Sequence, residues 1–264
     1  MITAGHVAEC TFARCGVEAA VCPNDVFHTG SADSPVTGIV TTFQATVPVI
    51  RRAIALGASL IITHEPTFWI EQDEAQRRLT TDSVRVAKEQ LCRDAGIAIW
   101  RCHDALHRNV HGDDINLGVE AQLGWQKYRT AGVSGLYRLP TTPLKRLASR
   151  IATSLQTTTA RFVGDPDLPC TTVAFCLGAN WAINQIEALS RGADLVICGE
   201  SREWETPEYV RDAAALGLCK SVLLVGHAAS EEAGMDYLGQ GLAALLPGIA
   251  IHHVPCGEPF HSAI

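Results

Sequence analysis

Residues 53–65 read Ala-Ile-Ala-Leu-Gly-Ala-Ser-Leu-Ile-Ile-Thr-His-Glu, and residues 188–200 read Ala-Leu-Ser-Arg-Gly-Ala-Asp-Leu-Val-Ile-Cys-Gly-Glu. At a constant offset of 135 they share Ala53/Ala188, Gly57/Gly192, Ala58/Ala193, Leu60/Leu195, Ile62/Ile197 and Glu65/Glu200, with Trp69/Trp204 just beyond. Each stretch reads as the end of a helix, a glycine that closes it, and an apolar run of strand length. A run without alternation fits a strand buried on both faces, as in a parallel sheet. Glycine before an apolar strand recurs in any α/β chain. A Glu and a Trp paired beyond the strand ends are less generic, and they make the stretch an internal duplication.

Working outward, Val36–Phe43 reads as the preceding strand. Thr46 caps the helix, with Pro48 in its first turn and Ile50, Ala53 and Ile54 facing inward. Downstream, Ser83–Ala95 is helical in pattern, with Val84, Ala87, Leu91 and Ala95 on one side; Gly96 closes it and Ile97–Cys102 is a strand. Asp113 or Asp114 caps a helix that runs to Leu123. The rhythm then restarts, with helices from Thr142–Pro143, over Asn180–Arg191, from Thr206–Pro207 and over Ser230–Leu246. The intervening strands are Thr158–Val163, Thr171–Leu177, Ala193–Cys198, Ser221–Val225 and Ile249–Val254. Such alternation implies βαβ units, and the expected fold class is α/β, with two related domains built on mostly parallel sheets.

Composition bounds the function. Hydrophobic residues make up 47% and charged residues 19% of 264, which is globular and large enough for one or two cores. A net charge of −7 with no basic cluster argues against direct nucleic-acid binding. No apolar run approaches the roughly 18 residues of a membrane helix. The first nine residues carry neither a basic run nor an apolar stretch, so a cytoplasmic location is expected. The ten cysteines form no C-x-x-C pair and several sit in apolar strands, which fits reduced structural thiols, with disulfides or metal ligation as the alternative. No dinucleotide, P-loop or serine-hydrolase motif is present.

Open α/β sheets place ligands at strand carboxyl ends, and three strands end in histidine. Ala58–Thr63 runs into His64-Glu65-Pro66, Ile97–Cys102 into His103-Asp104-Ala105-Leu106-His107, and Ser221–Val225 into Gly226-His227-Ala228-Ala229-Ser230-Glu231. Two of these have the form His-x-x-x-(His or Glu), and residues four apart on a helix reach one point. Imidazole and carboxylate without thiolate suits zinc, iron, manganese or nickel. Three imidazoles and two carboxylates suffice for two divalent ions with open positions, an arrangement that activates water. A lone strand-end histidine is more often a hydrogen-bonded loop residue; the coincidence of three carries the metal reading. His6, His28, His111, His252, His253 and His261 lack that framing. Cys102 beside His103 reads as an inert core thiol before a nucleophile, and Trp69 and Trp204 as packing before stacking platforms.

Together these segments resemble the Nif-three-like family, named for an interacting factor of a yeast transcriptional adaptor and often labelled GTP cyclohydrolase one type two. The residues that carry the likeness are Gly57–Pro66, His103–Asn116 leading into Leu117–Gly124, Ala193–Glu200 and Gly226–Glu231. The resemblance implies two α/β domains with a di-metal site in the cleft between them, a small-molecule substrate and a homo-oligomer, often a hexameric ring. It also implies a discontinuous first domain, 1–127 with 232–264, around a second at 128–231. Carried over by position, the metal ligands are His64, Glu65, His107, His227 and Glu231, with Asp104 the alternative carboxylate. His103 is a near-site residue, either a partner of the ligands or a general acid/base. Glu232 is a second proton carrier, and Glu200 faces the cleft. The sequence departs from the family where His-His-Pro is His64-Glu65-Pro66 and H-x-x-x-D is His103-x-x-x-His107, so ligand number and charge survive an exchange; Gln44 replaces a common acid. The function expected is a metal-dependent hydrolase of a small polar or nucleotide-like substrate, and the alternative is a non-catalytic metal-binding scaffold or regulatory partner.

Overall fold

A computed structural model of the chain describes residues 2–70, 75 and 77–261. It is an α/β protein that divides into two units, Met1–Asp114 with Met235–Cys256, and Ile115–Gly234 with Gly257–Ile264.

The first unit holds a five-stranded sheet in the order β1-β4-β3-β2-β10. Strands β2 (Gly38–Thr42), β3 (Leu60–Thr63), β4 (Ala98–Arg101) and β10 (Ala250–His253) run parallel, and β1 (Phe27–Thr29) is antiparallel at the β4 edge. Helices α1 (Ala4–Cys15), α2 (Val47–Ala55), α3 (Ser83–Asp94) and the short α4 (Asp104–His107) belong to this unit. Its core joins Val49, Ile50 and Ala53 of α2 and Cys92 of α3 to Val40, Ile61 and Ile99 of the sheet. Complete burial of each such aliphatic side chain contributes about 1.5–3 kcal/mol.

In the second unit the order is β5-β7-β8-β9-β6. Here β7 (Pro169–Cys176), β8 (Leu195–Cys198) and β9 (Ser221–Leu224) are parallel, while β5 (Leu136–Pro143) and β6 (Arg161–Val163) are antiparallel edges. Helices α6 (Leu144–Ser154), α7 (Ala182–Ser190) and α8 (Thr206–Ala215) complete it. The chain crosses between units within α5 (Asp114–Leu123) and α9 (His227–Leu245).

The duplication is visible in the elements themselves. Helix α2 and strand β3 occupy 47–55 and 60–63; α7 and β8 occupy 182–190 and 195–198, the same bounds at the offset of 135. Both sheets place three parallel strands at their centre and an antiparallel edge beside the third.

Some details differ from expectation. Ile54 is exposed, because the inward face of α2 is carried by Val49, Ile50 and Ala53. On α3 the buried residues are Lys88 and Cys92, whereas Val84, Ala87 and Ala95 face outward. Lys88 sets that face, donating from Nζ to Thr67 O at 2.5 Å and lying over the rings of Phe68 and Trp69. Helix α1 goes beyond the expected elements, although Thr3 caps its start and Gly16, at φ +66°, its end. All ten cysteines are free thiols. Among the described residues no helix is long and apolar enough to cross a membrane.

Candidate metal centre

In the first unit three histidines converge where β3 and β4 end. His64 follows β3, and its backbone N–H donates to Phe43 O at 3.0 Å. His103 follows β4, and His107 closes the helical turn that begins there. The ring centroids of His64 and His103 are 4.6 Å apart, those of His64 and His107 5.1 Å, and those of His103 and His107 4.8 Å. One ring nitrogen from each lies within 4.8 Å of the other two.

The hydrogen bonds bear on which nitrogen of each ring carries the proton. His64 Nδ1 lies 3.2 Å from Cys102 O, an atom that only accepts, so Nδ1 carries the proton and Nε2 the lone pair. His103 Nδ1 is 3.0 Å from Asp104 Oδ1, and His107 Nδ1 is 2.9 Å from Asp113 Oδ2. Each carboxylate sets the same tautomer. Burial alone would raise the Asp104 carboxyl, but hydrogen bonds from Asn24 and His103 outweigh it and hold the group below its usual range. An acceptor on one imidazole nitrogen, orienting the other, is the usual support of a metal-binding histidine.

Glu65 has a different neighbour. The buried Arg101 donates from Nε to His64 O at 3.0 Å and from Nη2 to Glu65 Oε2 at 3.4 Å. A donor oxygen of Glu65 still lies within 4.8 Å of a ring nitrogen of His64.

The second unit carries its own donor pair at the start of α9. His227 Nε2 is 3.0 Å from Glu231 Oε2, one helical turn on, and its Nδ1 is 3.3 Å from Glu200 Oε1. Two donors about 2.0–2.2 Å from one zinc ion stand roughly 3–3.5 Å apart, so the His227–Glu231 spacing already suits a shared ion. The Glu200 carboxyl is held low by its hydrogen bond to His227, against burial. Two glycines make room for the pair. A methyl on Gly178 would overlap Glu231 Oε1, and one on Gly199 would lie 2.6 Å from Ser230 Oγ and 2.9 Å from His227 Cα. Ser230 Oγ, which donates to His227 O at 2.7 Å, accepts from Gly178 N at 2.9 Å and ties the strand end to the helix.

Within the first unit the structure groups His64, His103 and His107, with Glu65 beside His64; within the second it groups His227 with Glu231 and Glu200. Glu232 is half-buried and belongs to no candidate ligand group among the described residues. Gln44 donates to Pro66 O at 3.3 Å, a loop contact. Cys102 is fully buried and its thiol is pushed well up by that burial, which suits a core residue and not a nucleophile. Trp69 and Trp204 are both exposed. His28 is held by Thr67, and burial first, then Arg101, Lys88 and Arg85, push it down to about 4. Asp113 and Arg101 were not foreseen as site residues. Asp113 had a signal, an acid six residues past His107, but reads equally well as a helix cap; Arg101 sits in an apolar strand and gave none.

A family model described as Duf34/NIF3 (NGG1p interacting factor 3) matches residues 15–256. A Clostridium acetobutylicum protein named GTP cyclohydrolase 1 type 2 homolog is 25% identical over 234 residues, covering 84% of this chain and 82% of that one. A Vibrio cholerae protein of the same name is 27% identical over 228 residues, covering 84% and 85%. A solved structure of a Bacillus cereus protein related to NIF3 superposes with a TM-score of 0.77 at 16% identity, covering 99% of both chains.

Proposed function

We propose that this chain, which belongs to the Duf34/NIF3 family, is a divalent-metal-binding protein that works as a metal-dependent hydrolase on a small polar or nucleotide-like substrate. The observation that carries the reading is the shared support of four histidines. His64, His103, His107 and His227 each have Nδ1 against an oxygen that accepts or can accept its proton. Histidines that merely pack have no reason to share one tautomer at strand ends, whereas ligands do.

The donor chemistry fits zinc, iron, manganese or nickel better than magnesium or calcium, which take oxygen. His64, His103 and His107 would hold an ion in the first unit, with Glu65 adjacent; His227 and Glu231 offer a second set. A bound divalent ion supplies Lewis acidity, polarising a substrate oxygen and lowering the pKa of water. Asp104, Asp113 and Glu200 keep the imidazoles oriented. Arg101 holds the Glu65 carboxylate. Glu232, next to Glu231 on α9, is the proposed proton carrier. By family resemblance we place the chain as a homo-oligomer.

The test is elemental analysis of the purified protein, then of the His64→Ala/His227→Ala double variant, followed by turnover on phosphoester, cyclic amide and cyclohydrolase substrates. Stoichiometric metal that falls in the variant, with turnover that falls alongside it, is the expected result. Unchanged metal content in the variant would sink the site. The family description, an interacting factor, favours a second reading, a non-catalytic metal-binding partner protein. Full metal with no turnover on any substrate class selects it.

A further inference from the structure

Helix α4, which carries Asp104 and His107, spans only Asp104–His107. A single turn does not hold itself together in water, since nucleation fixes several dihedrals for one hydrogen bond. Its opening amides are satisfied by a carboxylate from far back in the chain. Asp25 Oδ1 accepts from His103 N and Asp104 N, both at 2.7 Å, and Oδ2 accepts from Ala105 N at 3.0 Å. The adjacent Asn24 addresses the side chain: its backbone N–H donates to Asp104 Oδ2 at 3.0 Å and its Nδ2 to Asp104 Oδ1 at 3.1 Å. Asp104 Oδ1 also receives His103 Nδ1.

Two consecutive loop residues thus hold both the backbone of the turn and the carboxylate that orients His103. Three consecutive amides on one carboxylate fix the φ/ψ of that turn more tightly than a single cap would. Both oxygens of Asp104 are already engaged by donors. A carboxylate so engaged sets the direction of its imidazole and is a poor direct ligand.

We propose that Asp25 is a positioning residue for the histidine cluster: it presets the turn from which His103 and His107 project, and with Asn24 it reserves Asp104 for His103 Nδ1. The inference rests on the metal reading above for what the preset turn is for, but its structural half is independent of any ion.

The test uses the full chain with Asp25→Ala and Asp25→Asn. Histidine tautomers are read in the metal-free protein by long-range nitrogen–proton NMR, and zinc affinity by competition with a chromogenic chelator. In the wild type His103 is protonated at Nδ1. In Asp25→Ala that signature gives way to exchange between tautomers, while His64, held by Cys102 O, keeps its own and serves as the internal control. Zinc affinity falls 10- to 100-fold, the effect typical of losing a ligand's outer support. Asp25→Asn retains one carbonyl oxygen for the His103 and Asp104 amides but turns an NH2 towards Ala105 N, so it falls between. It also carries the test if Asp25→Ala does not fold. Wild-type tautomers at His103 with zinc affinity within twofold, in either folded variant, overturn the proposal. A wild type that binds no zinc defeats the metal reading instead, and the His103 tautomer still decides whether Asp25 positions the turn.

Discussion

Replacing Gly178 with alanine probes the second donor pair without touching either donor. Gly178 sits just past β7 at φ +65°, and a methyl there would overlap Glu231 Oε1, with Glu231 Cδ at 2.9 Å and His227 Nε2 at 3.1 Å. Two costs follow. The left-handed backbone costs a non-glycine residue roughly 1–2 kcal/mol. Pushing the buried Glu231 carboxylate aside, away from its 3.0 Å approach to His227 Nε2, adds an overpacking cost of about 1–3 kcal/mol. A combined loss of about 2–5 kcal/mol corresponds to a fall in Tm of about 4–20 °C in a chain of this size. Gly217 supplies the control: its φ is +73°, and nothing lies within 4 Å of where its Cβ would be, so Gly217→Ala carries the backbone cost alone. Thermal unfolding of both variants, with and without zinc, separates the terms. Gly178→Ala should melt below Gly217→Ala and gain less from added zinc than the wild type. If the two variants melt together and Gly178→Ala responds to zinc as the wild type does, Glu231 and His227 are not arranged as a donor pair.

Lys88 is buried with a backbone carbonyl and two rings for company, and burial pushes its ammonium down to about 8 from 10.5. The unfolded chain therefore binds more protons between pH 8 and 10.5, so stability rises with pH across that window and the full penalty is present below it. Urea unfolding of the wild type against Lys88→Met should show this as a pH-dependent difference of up to about 3 kcal/mol; a difference that stays flat from pH 8 to 10.5 refutes it. His28, pushed down to about 4 chiefly by burial, gives the acid counterpart: stability is complete above pH 6.5 and is lost as pH falls towards 4, and His28→Gln should remove that slope. In the second unit Glu258 accepts from Thr157 Oγ1 at 3.2 Å, from Thr158 N at 3.2 Å and from Thr159 Oγ1. Glu258→Ala should cost about 1–2 kcal/mol and speed hydrogen exchange at the Thr158 amide; exchange as slow as in the wild type would exclude the anchoring role.

Local signals carried most of the fold. Thr46 and Pro48 opened α2, Gly57 and Gly192 closed the two repeated helices, and unbroken apolar runs marked β3 and β8 at matching positions. Strand β5 was illegible because Pro140 and Pro143 argue against a strand; at a sheet edge, with irregular register between Arg138 and Thr142, they are tolerated. The face of α3 was misread because two valines, Val84 and Val86, are exposed while a lysine is buried, and only the Thr67 carbonyl and the ring faces of Phe68 and Trp69 explain that. The candidate site divided in the same way. Histidines at strand ends were legible from position alone. The oxygens that orient them come from a strand-end carbonyl, a helix start and a neighbouring strand end. Their purpose depends on distances that no spacing in the chain encodes.

The exchange we propose from the family resemblance, Glu65 for an imidazole and His107 for a carboxylate, gains a physical meaning from Arg101. In the simplest view the exchange conserves ligand charge, with Glu65 supplying the negative charge that His107 no longer brings. The structure sets a buried guanidinium against that carboxylate, and Arg101 is anchored there by its second bond, to His64 O. A carboxylate facing a fixed cation offers less negative charge to an ion than an open one. Removing the guanidinium would in turn leave the half-buried carboxylate beside imidazoles without that compensation. The donors of the first unit therefore amount to three imidazoles and a carboxylate already partly neutralised. Nitrogen-rich sites of that kind favour zinc, iron and nickel over magnesium and calcium. On the proposed reading the exchange conserves both the number and the kinds of candidate donors and changes only where the carboxylate stands, which makes Arg101, the cation that faces it there, as much a part of the site as the two exchanged positions.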